Sequence, residues 1–401
     1  MTSLRQIADF FDLSDTPSRS RGVQASDKRM RGIVDLHRWS TRDQRPPQRV
    51  SLRSLCDRHF DAKSRLIRIL WFNTELLPAP SVKGSVTAAR ARDIAAFVAE
   101  ASPAYDLVCL GEMIPPKGNR PNPEEVLLKE LENRGHSPTS VSRGPQGTGG
   151  KLSAGLLTLS FGRRIAASQT HTFHHGTRFL IDRQANKGVL HVRMELGVVT
   201  VDVYSTHLAS GALTLFASDA AVLEQQLGQV EEVRQFIKRT RLQSENGLVV
   251  LCGDFNIDAN DSTSRFSDAV QPSDGYTSMA DILDNIDLDE VWPLRGGGLN
   301  YTYYNRRQKN RSKLLSFVCP PDNKHCIDEA GILPTTLASE CSRLDYFFLE
   351  KPLTVNKFNV DFARPRRVHL RRPIGSEARD RFPSVSDHLG LELTLLVSER
   401  R

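Results

Sequence analysis

LVVLCGDFNIDAN, residues Leu248 to Asn260, opens with an unbroken apolar run, Leu248 to Leu251, and turns polar after Gly253. Val249 and Val250 at its centre are β-branched. A strand buried on both faces reads this way, with a loop at its carboxyl end. Asp254 and Asn256 sit on that loop, and they offer oxygen ligands to a hard divalent cation such as Mg²⁺. The same pair also suits an Asx-turn that closes a strand. The other strands of the chain decide between the two.

The signature recurs on both sides. RLIRILWFN alternates from Arg65 and ends at polar Asn73. Ser85–Glu100 follows with Ile94, Phe97 and Val98 at helical spacing. YDLVCLGEM is a second buried strand with Glu112 at its carboxyl end, and LSAGLLTLS is a third apolar run. Between them, residues 135–151 are rich in Gly, Ser and Pro and read as a surface loop. KGVLHVRMEL and GVVTVDVYSTHL read as a hairpin turning near Gly197, and the second strand ends at His207. Leu213–Thr240 carries a helical apolar stripe, and Met279–Val291 reads as a helix and turn. SRLDYFFLE is a strand with Asp345 at its start. The last strand, SVSDHLGLELTLLV, is headed by Asp387 and His388.

Composition narrows the classes. With 39% hydrophobic and 25% charged residues in 401, the chain is that of a globular protein with a large core. It has no apolar run of about 18 residues and no uninterrupted apolar leader, so neither a membrane span nor a secretory signal is expected. The cytoplasm is then the default compartment, and a monomer is the expected state. Residues 1–62 are Arg-rich and weakly periodic and read as a basic, partly disordered extension; residues 63–401 read as one folded domain. The balance of 54 basic against 47 acidic residues, net +7, fits an anionic partner. Arg364–Arg381 would suit an anionic membrane or a nucleic-acid backbone. Cys109 and Cys252 read as buried thiols, whereas Cys319 and Cys326 flank a loop without the spacing of a zinc site. His171, His174 and His175 invite a metal reading, but an exposed loop or edge strand is preferred.

Asn73, Glu112, His207, Asp254, Asn256, Asp345, Asp387 and His388 therefore all stand at strand ends. Oxygen donors dominate, which favours Mg²⁺ or Mn²⁺, and two histidines beside carboxylates suit acid–base work near neutral pH. In this order the segments ILWFN, LVCLGE, STHL, CGDFN, RLDYFFL and SVSDH resemble the endonuclease/exonuclease/phosphatase superfamily. The resemblance implies a DNase-I-like α/β fold, a four-layer sandwich of two packed mixed sheets flanked by helices. It implies a metal-dependent phosphoric diester hydrolase working by in-line water attack. Glu112, with Asn73 close by, would hold the ion, and His388 would be the general base. Asp345 would orient an imidazole, chiefly that of His207. His207 and Asn256 would hydrogen-bond phosphate oxygens. Asp254 would orient the water or ligate a second ion, and Asp387 would fix the site beside His388 as a further metal residue. The family's Gln before the metal Glu is replaced here by Gly111, so weaker support of Glu112 is expected.

Asp182 to Leu190, DRQANKGVL, resembles the neutral sphingomyelinase branch, in which the Lys lies near the substrate phosphate. That makes Lys187 and Asp182 candidate substrate-binding residues and a phospholipid head group the expected substrate. A β-turn over Asn186–Gly188 would explain the same residues. DNA or RNA is the alternative substrate, and a catalytically silent binding protein on the same fold is the alternative of another class.

Overall fold

The structure is a computed structural model, and it describes residues 65–76, 84–116, 121–147, 151–174, 185–196, 199–210, 219–241, 247–259, 272–291, 303–304, 341–351, 358–368, 386 and 388–399. The extension 1–62, Asp182, His175, Asp387, Cys319, Cys326 and residues 369–385 lie outside these.

Two six-stranded sheets carry the fold. The first is built from β1 (Arg65–Asn73), β2 (Leu107–Gly111), β3 (Ser140–Arg143), β4 (Leu157–Ser160), β13 (Phe358–Val368) and β14 (Gly390–Glu399), in the order β13-β14-β1-β2-β4-β3. The second contains β5 (Ile165–Thr172), β6 (Gly188–Leu196), β7 (Val199–His207), β8 (Gly247–Asp254), β9 (Leu288–Glu290) and β12 (Asp345–Glu350), in the order β5-β6-β7-β8-β12-β9. A short ribbon pairs β10 (Tyr303–Tyr304) with β11 (Cys341–Ser342). The helices are α1 (Gly84–Glu100), α2 (Pro123–Asn133), α3 (Asp219–Arg241) and α4 (Asp274–Asp284). The chain divides into two compact units. The larger, Arg68–Lys351 with Pro365–Leu393, holds every described candidate site residue. The smaller is Met1–Ile67, Pro352–Arg364 and Thr394–Arg401, whose described residues are all in strands.

Strand alternation explains the layers. On β1, Leu70 and Phe72 pack with Ile94 and Val98 of α1 and Leu127 and Leu131 of α2. On β8, Val249 and Leu251 pack with Val230 and Val233 of α3 and Met279 of α4. The alternate residues, Ile69, Trp71 and Asn73 on β1 and Val250, Cys252 and Asp254 on β8, take the opposite, inner faces. They too are buried, which is why these strands read as continuous apolar runs. Hydrogen bonds between the inner faces, from Trp71 to Asp345 and from Asn73 to Asp254, join the sheets. Helix, sheet, sheet and helix give the four-layer α/β sandwich expected from the sequence.

The Gly-rich stretch 135–151 is not all loop, because it contains β3. That strand is the edge of the first sheet, so its polar SVSR pattern carries little hydrophobic signal. Helix α2 also escaped the sequence reading, although Asn122 caps it through Glu124 N–H and Pro123 opens it. The basic segment beginning at Arg364 is in its first part a strand, β13. Met279–Val291 resolves into the end of α4 and the edge strand β9.

Candidate active site

Topology brings the strand ends to one place. β1 and β2 run parallel, with Asn73 paired with Gly111, so both chains leave the first sheet at the same end. β7 and β8 are parallel with His207 opposite Asp254, and β12 is antiparallel with its first residue, Asp345, also opposite Asp254. A residue at the start of β12 therefore meets residues at the ends of β7 and β8.

His388 and Asp345 form the shortest link. His388 Nδ1 is 2.7 Å from Asp345 Oδ2, and both side chains are buried. A carboxylate can only accept, so Nδ1 carries a proton, and Nε2 is the nitrogen at which the ring can gain or lose one. Nε2 stands 3.6 Å from Asp254 Oδ2 and 3.5 Å from Asn73 Nδ2. The expectation that Asp345 orients His207 is thus corrected. Asp345 holds His388, and it is kept from His207 because β8 lies between β12 and β7, with Asp254 between the two residues.

Trp71 was missed. Its indole N–H donates to Asp345 Oδ1 at 2.8 Å, so Asp345 is held from both sides. An aromatic residue in a buried strand reads as core, but Trp71 shares a strand face with Asn73, two residues on. Gly111 belongs to the same arrangement: a Cβ there would lie 2.9 Å from Trp71 Cη2. The glycine leaves room for the indole.

Asp254 is 1% exposed. It accepts from Asn73 Nδ2 at 2.9 Å and from the Asn256 backbone N–H at 2.9 Å, so the Asx-turn forms and the same carboxylate also reaches the strand-end cluster. Burial pushes its carboxyl up to about 6; the repulsion of Asp345 adds to this, and His388 and Asn73 oppose it. Asn256 adopts a left-handed φ of 53° and donates from Nδ2 to Leu208 C=O at 3.2 Å. Glu112, at φ 58°, is the other site residue in this sparsely populated conformation. It packs against Gly155, where a Cβ would come 3.1 Å from Glu112 Cα.

His207 faces Lys187. The ammonium donates to His207 Nε2 at 3.1 Å and to Leu208 C=O at 2.6 Å. Burial drives the His207 imidazole well below its usual pKa, and the nearby Lys187 and His388 charges push the same way. His207 is therefore neutral. Its Nε2 lies 3.8 Å from Glu112 Oε1 and 3.7 Å from Asp254 Oδ2. The sequence reading gives His207 a hydrogen bond to phosphate; in the structure its Nε2 accepts from Lys187, which makes Lys187 the donor at this point. Gln226 and Gln229 of α3, also unforeseen, brace the turn after β7: Gln229 accepts from Ala209 N–H, and Gln226 donates to Ala209 and Asn256 carbonyls.

The donor set fits a hard divalent cation. Glu112 and Asp254 carboxylates flank one imidazole nitrogen, and ligand atoms of Asp254, Asp345 and His388 lie within 4.8 Å of one another. An Asp held at about 6 by burial and a second carboxylate is one that a cation would keep ionised.

Residues 70–388 match the Endonuclease/Exonuclease/phosphatase family. No curated protein matches the chain. Among solved structures, sphingomyelinase C from Streptomyces griseocarneus is similar at a TM-score of 0.53 and 18% identity, covering 82% of this chain and 99% of that one. A beta toxin variant from Staphylococcus aureus with bound magnesium ions is similar at 0.54 and 15% identity, covering 82% and 98%. The D. rerio TDP2 complex with a single-strand DNA product is similar at 0.50 and 16% identity, again covering 82% and 98%. At these identities the likeness is one of fold.

Proposed function

Because the chain belongs to the endonuclease/exonuclease/phosphatase family, whose members act on phosphoesters, we propose that it is a Mg²⁺- or Mn²⁺-dependent phosphodiesterase acting on a phospholipid head group. The observation that carries the substrate class is Lys187. It lies at the head of β6, is 8% exposed, and turns its ammonium to His207 beside Glu112 and Asp254. This agrees with the sphingomyelinase-like reading of DRQANKGVL and goes beyond a turn residue.

Each residue has a task that its geometry permits. Glu112 and Asp254, with Asn73 beside them, would hold the cation. When bound, the cation supplies Lewis-acid stabilisation of charge on the phosphoryl oxygens. His388 takes the proton of the attacking water at Nε2. Asp345, fixed by Trp71, stabilises the imidazolium that results. Lys187 and the Asn256 amide supply donors to the growing oxyanion. These groups are already held by the fold, so little reorganisation accompanies the reaction.

The test is Lys187→Ala on a choline phospholipid. A donor that acts on transition-state charge lowers kcat more than it changes KM. The expected loss is about 10²–10³ in kcat with little change in KM. Near-wild-type turnover would contradict the assignment. If nucleic acid is the substrate, Lys187→Ala mainly weakens binding and lowers the salt slope by about one.

A further inference from the structure

A second group of ligating side chains converges away from the active site. His171 lies near the end of β5, His174 follows the strand, and Glu232 is on α3. His171 Nε2 is 2.8 Å from Glu232 Oε2, and His174 Nδ1 is 3.2 Å from the same oxygen. The three ligand atoms all lie within 4.8 Å of one another. Glu232 is buried, His171 half-buried and His174 exposed, so the cluster runs from a buried floor to a solvent-facing rim.

We propose that His171, His174 and Glu232 form a metal site for a zinc-class transition ion that clasps the edge strand β5 to α3. The donor chemistry selects the ion: two imidazole nitrogens and one carboxylate suit Zn²⁺ or Co²⁺, whereas Mg²⁺ prefers oxygen alone. The spacing also fits. Bonds of about 2.0–2.1 Å in a tetrahedron place donor atoms about 3.3 Å apart. The observed 2.8 and 3.2 Å need only small side-chain shifts to reach it. Three protein ligands leave the fourth position to water.

The ligands are braced as metal ligands are. The His174 backbone N–H donates to both Glu232 oxygens, at 3.1 and 2.9 Å. The His171 ring stacks on Phe236, one helical turn from Glu232, at 5.6 Å between centroids. Separation from the active site is clear. His171 pairs with Val189, Val189 with Thr206 and Thr206 with Gly253, three strand spacings of about 4.8 Å each. Glu232 belongs to the helix on the outer face of this sheet, whereas Asp254 takes the inner face. The edge-strand reading holds for His171, whereas His174 lies just past the strand, and Glu232, 58 residues from His174, completes a set invisible in the sequence.

The test is Co²⁺ and Zn²⁺ uptake by metal-stripped full-length protein in excess Mg²⁺, which occupies oxygen-rich sites. Wild type and Asp254→Asn should each take one equivalent of Co²⁺ with the visible absorption of a four-coordinate N/O site, and saturating Zn²⁺ should raise the Tm. His174→Ala, at an exposed side chain, should weaken uptake by at least about 100-fold, abolish the Zn²⁺-induced rise in Tm and leave phosphodiester turnover unchanged. Glu232→Gln keeps an acceptor for the His174 N–H and should lose the metal as well. Wild type that takes up no Co²⁺ at about 100 µM, or His174→Ala that binds it as wild type does, would overturn the proposal. Uptake is read without turnover, so a failed activity assay leaves this result standing.

Discussion

Asp254 and Asp202 are both 1% exposed and lie in adjacent strands of one sheet, yet the fold treats them in opposite ways. Asp202, on the outer face of β7, meets His191 at 2.7 Å and Arg193 Nε at 2.8 Å. Burial raises its pKa, but the hydrogen bonds from His191 and Arg193 override this and hold it below the usual carboxylate range. Asp254, on the inner face, meets an amide, a backbone N–H, two imidazoles and the Asp345 carboxylate. Its carboxyl is pushed up to about 6. One carboxylate is charge-matched by its neighbours; the other is set where an added cation would match it. Burial alone does not mark a functional acid, and the sign of its imbalance does.

The largest expected effect separates the two by activity. Asp254→Asn should lower kcat/KM by about 10³ or more while changing stability by less than about 1 kcal/mol, since the side chain keeps its shape and one acceptor oxygen. Asp202→Asn should do the reverse. Breaking a buried ion pair costs about 3–5 kcal/mol, and turnover per folded molecule should be retained. Steady-state kinetics and urea unfolding on both variants read this out. Equal activity losses in the two would erase the distinction.

Removal of the cation ranks next. EDTA should abolish hydrolysis, and Glu112→Gln should lower it by orders of magnitude and raise the Mg²⁺ needed for half-maximal rate. Wild-type rates for Glu112→Gln at low Mg²⁺ would detach Glu112 from the metal.

Trp71→Phe is a smaller, sharper test. It keeps an aromatic ring in the strand, removes the N–H on Asp345 and gives up indole volume beside Gly111. A hydrogen bond to a charged group contributes about 1.5–3 kcal/mol, so a fall in kcat of about 10–100-fold is expected with an unchanged circular dichroism spectrum. Unaltered kcat would show that Asp345 holds His388 without help.

The smallest effects lie in pH. Asp202 has a depressed folded pKa, so its contribution to stability is present above the unfolded value near 3.8 and is lost as pH falls through the folded one. Asp254 has a raised folded pKa, so the metal-free protein is favoured below about 3.8 and loses that contribution as pH rises toward about 6. Between these values Asp254→Asn should flatten the pH dependence of unfolding free energy, and below them Asp202→Asn should flatten it. A wild-type slope retained in both variants would contradict the assignment of these groups.

Much of this was legible in the sequence. Glu112 and Asp254 follow unbroken apolar runs, Asn73 and His207 end strands that alternate, and in each case the polar residue at the strand end is the candidate site residue. What escaped depends on partners far apart in the chain. That Asp345 does not reach His207 follows from strand order, which sets β8 and Asp254 between them and which no local pattern carries. Trp71 was hidden because an indole is both a core residue and a donor. Edge elements such as β3 bury too little to leave a period.

The most direct measurement offers the purified protein, in Mg²⁺, sphingomyelin vesicles, lysophospholipid, plasmid DNA, RNA and inositol phosphates in parallel, each with and without EDTA. The account predicts EDTA-sensitive release of the phosphorylated head group from a choline phospholipid, faster than cleavage of any other substrate and lost in His388→Ala. Hydrolysis that survives EDTA or His388→Ala, or cleavage confined to nucleic acid, would contradict it.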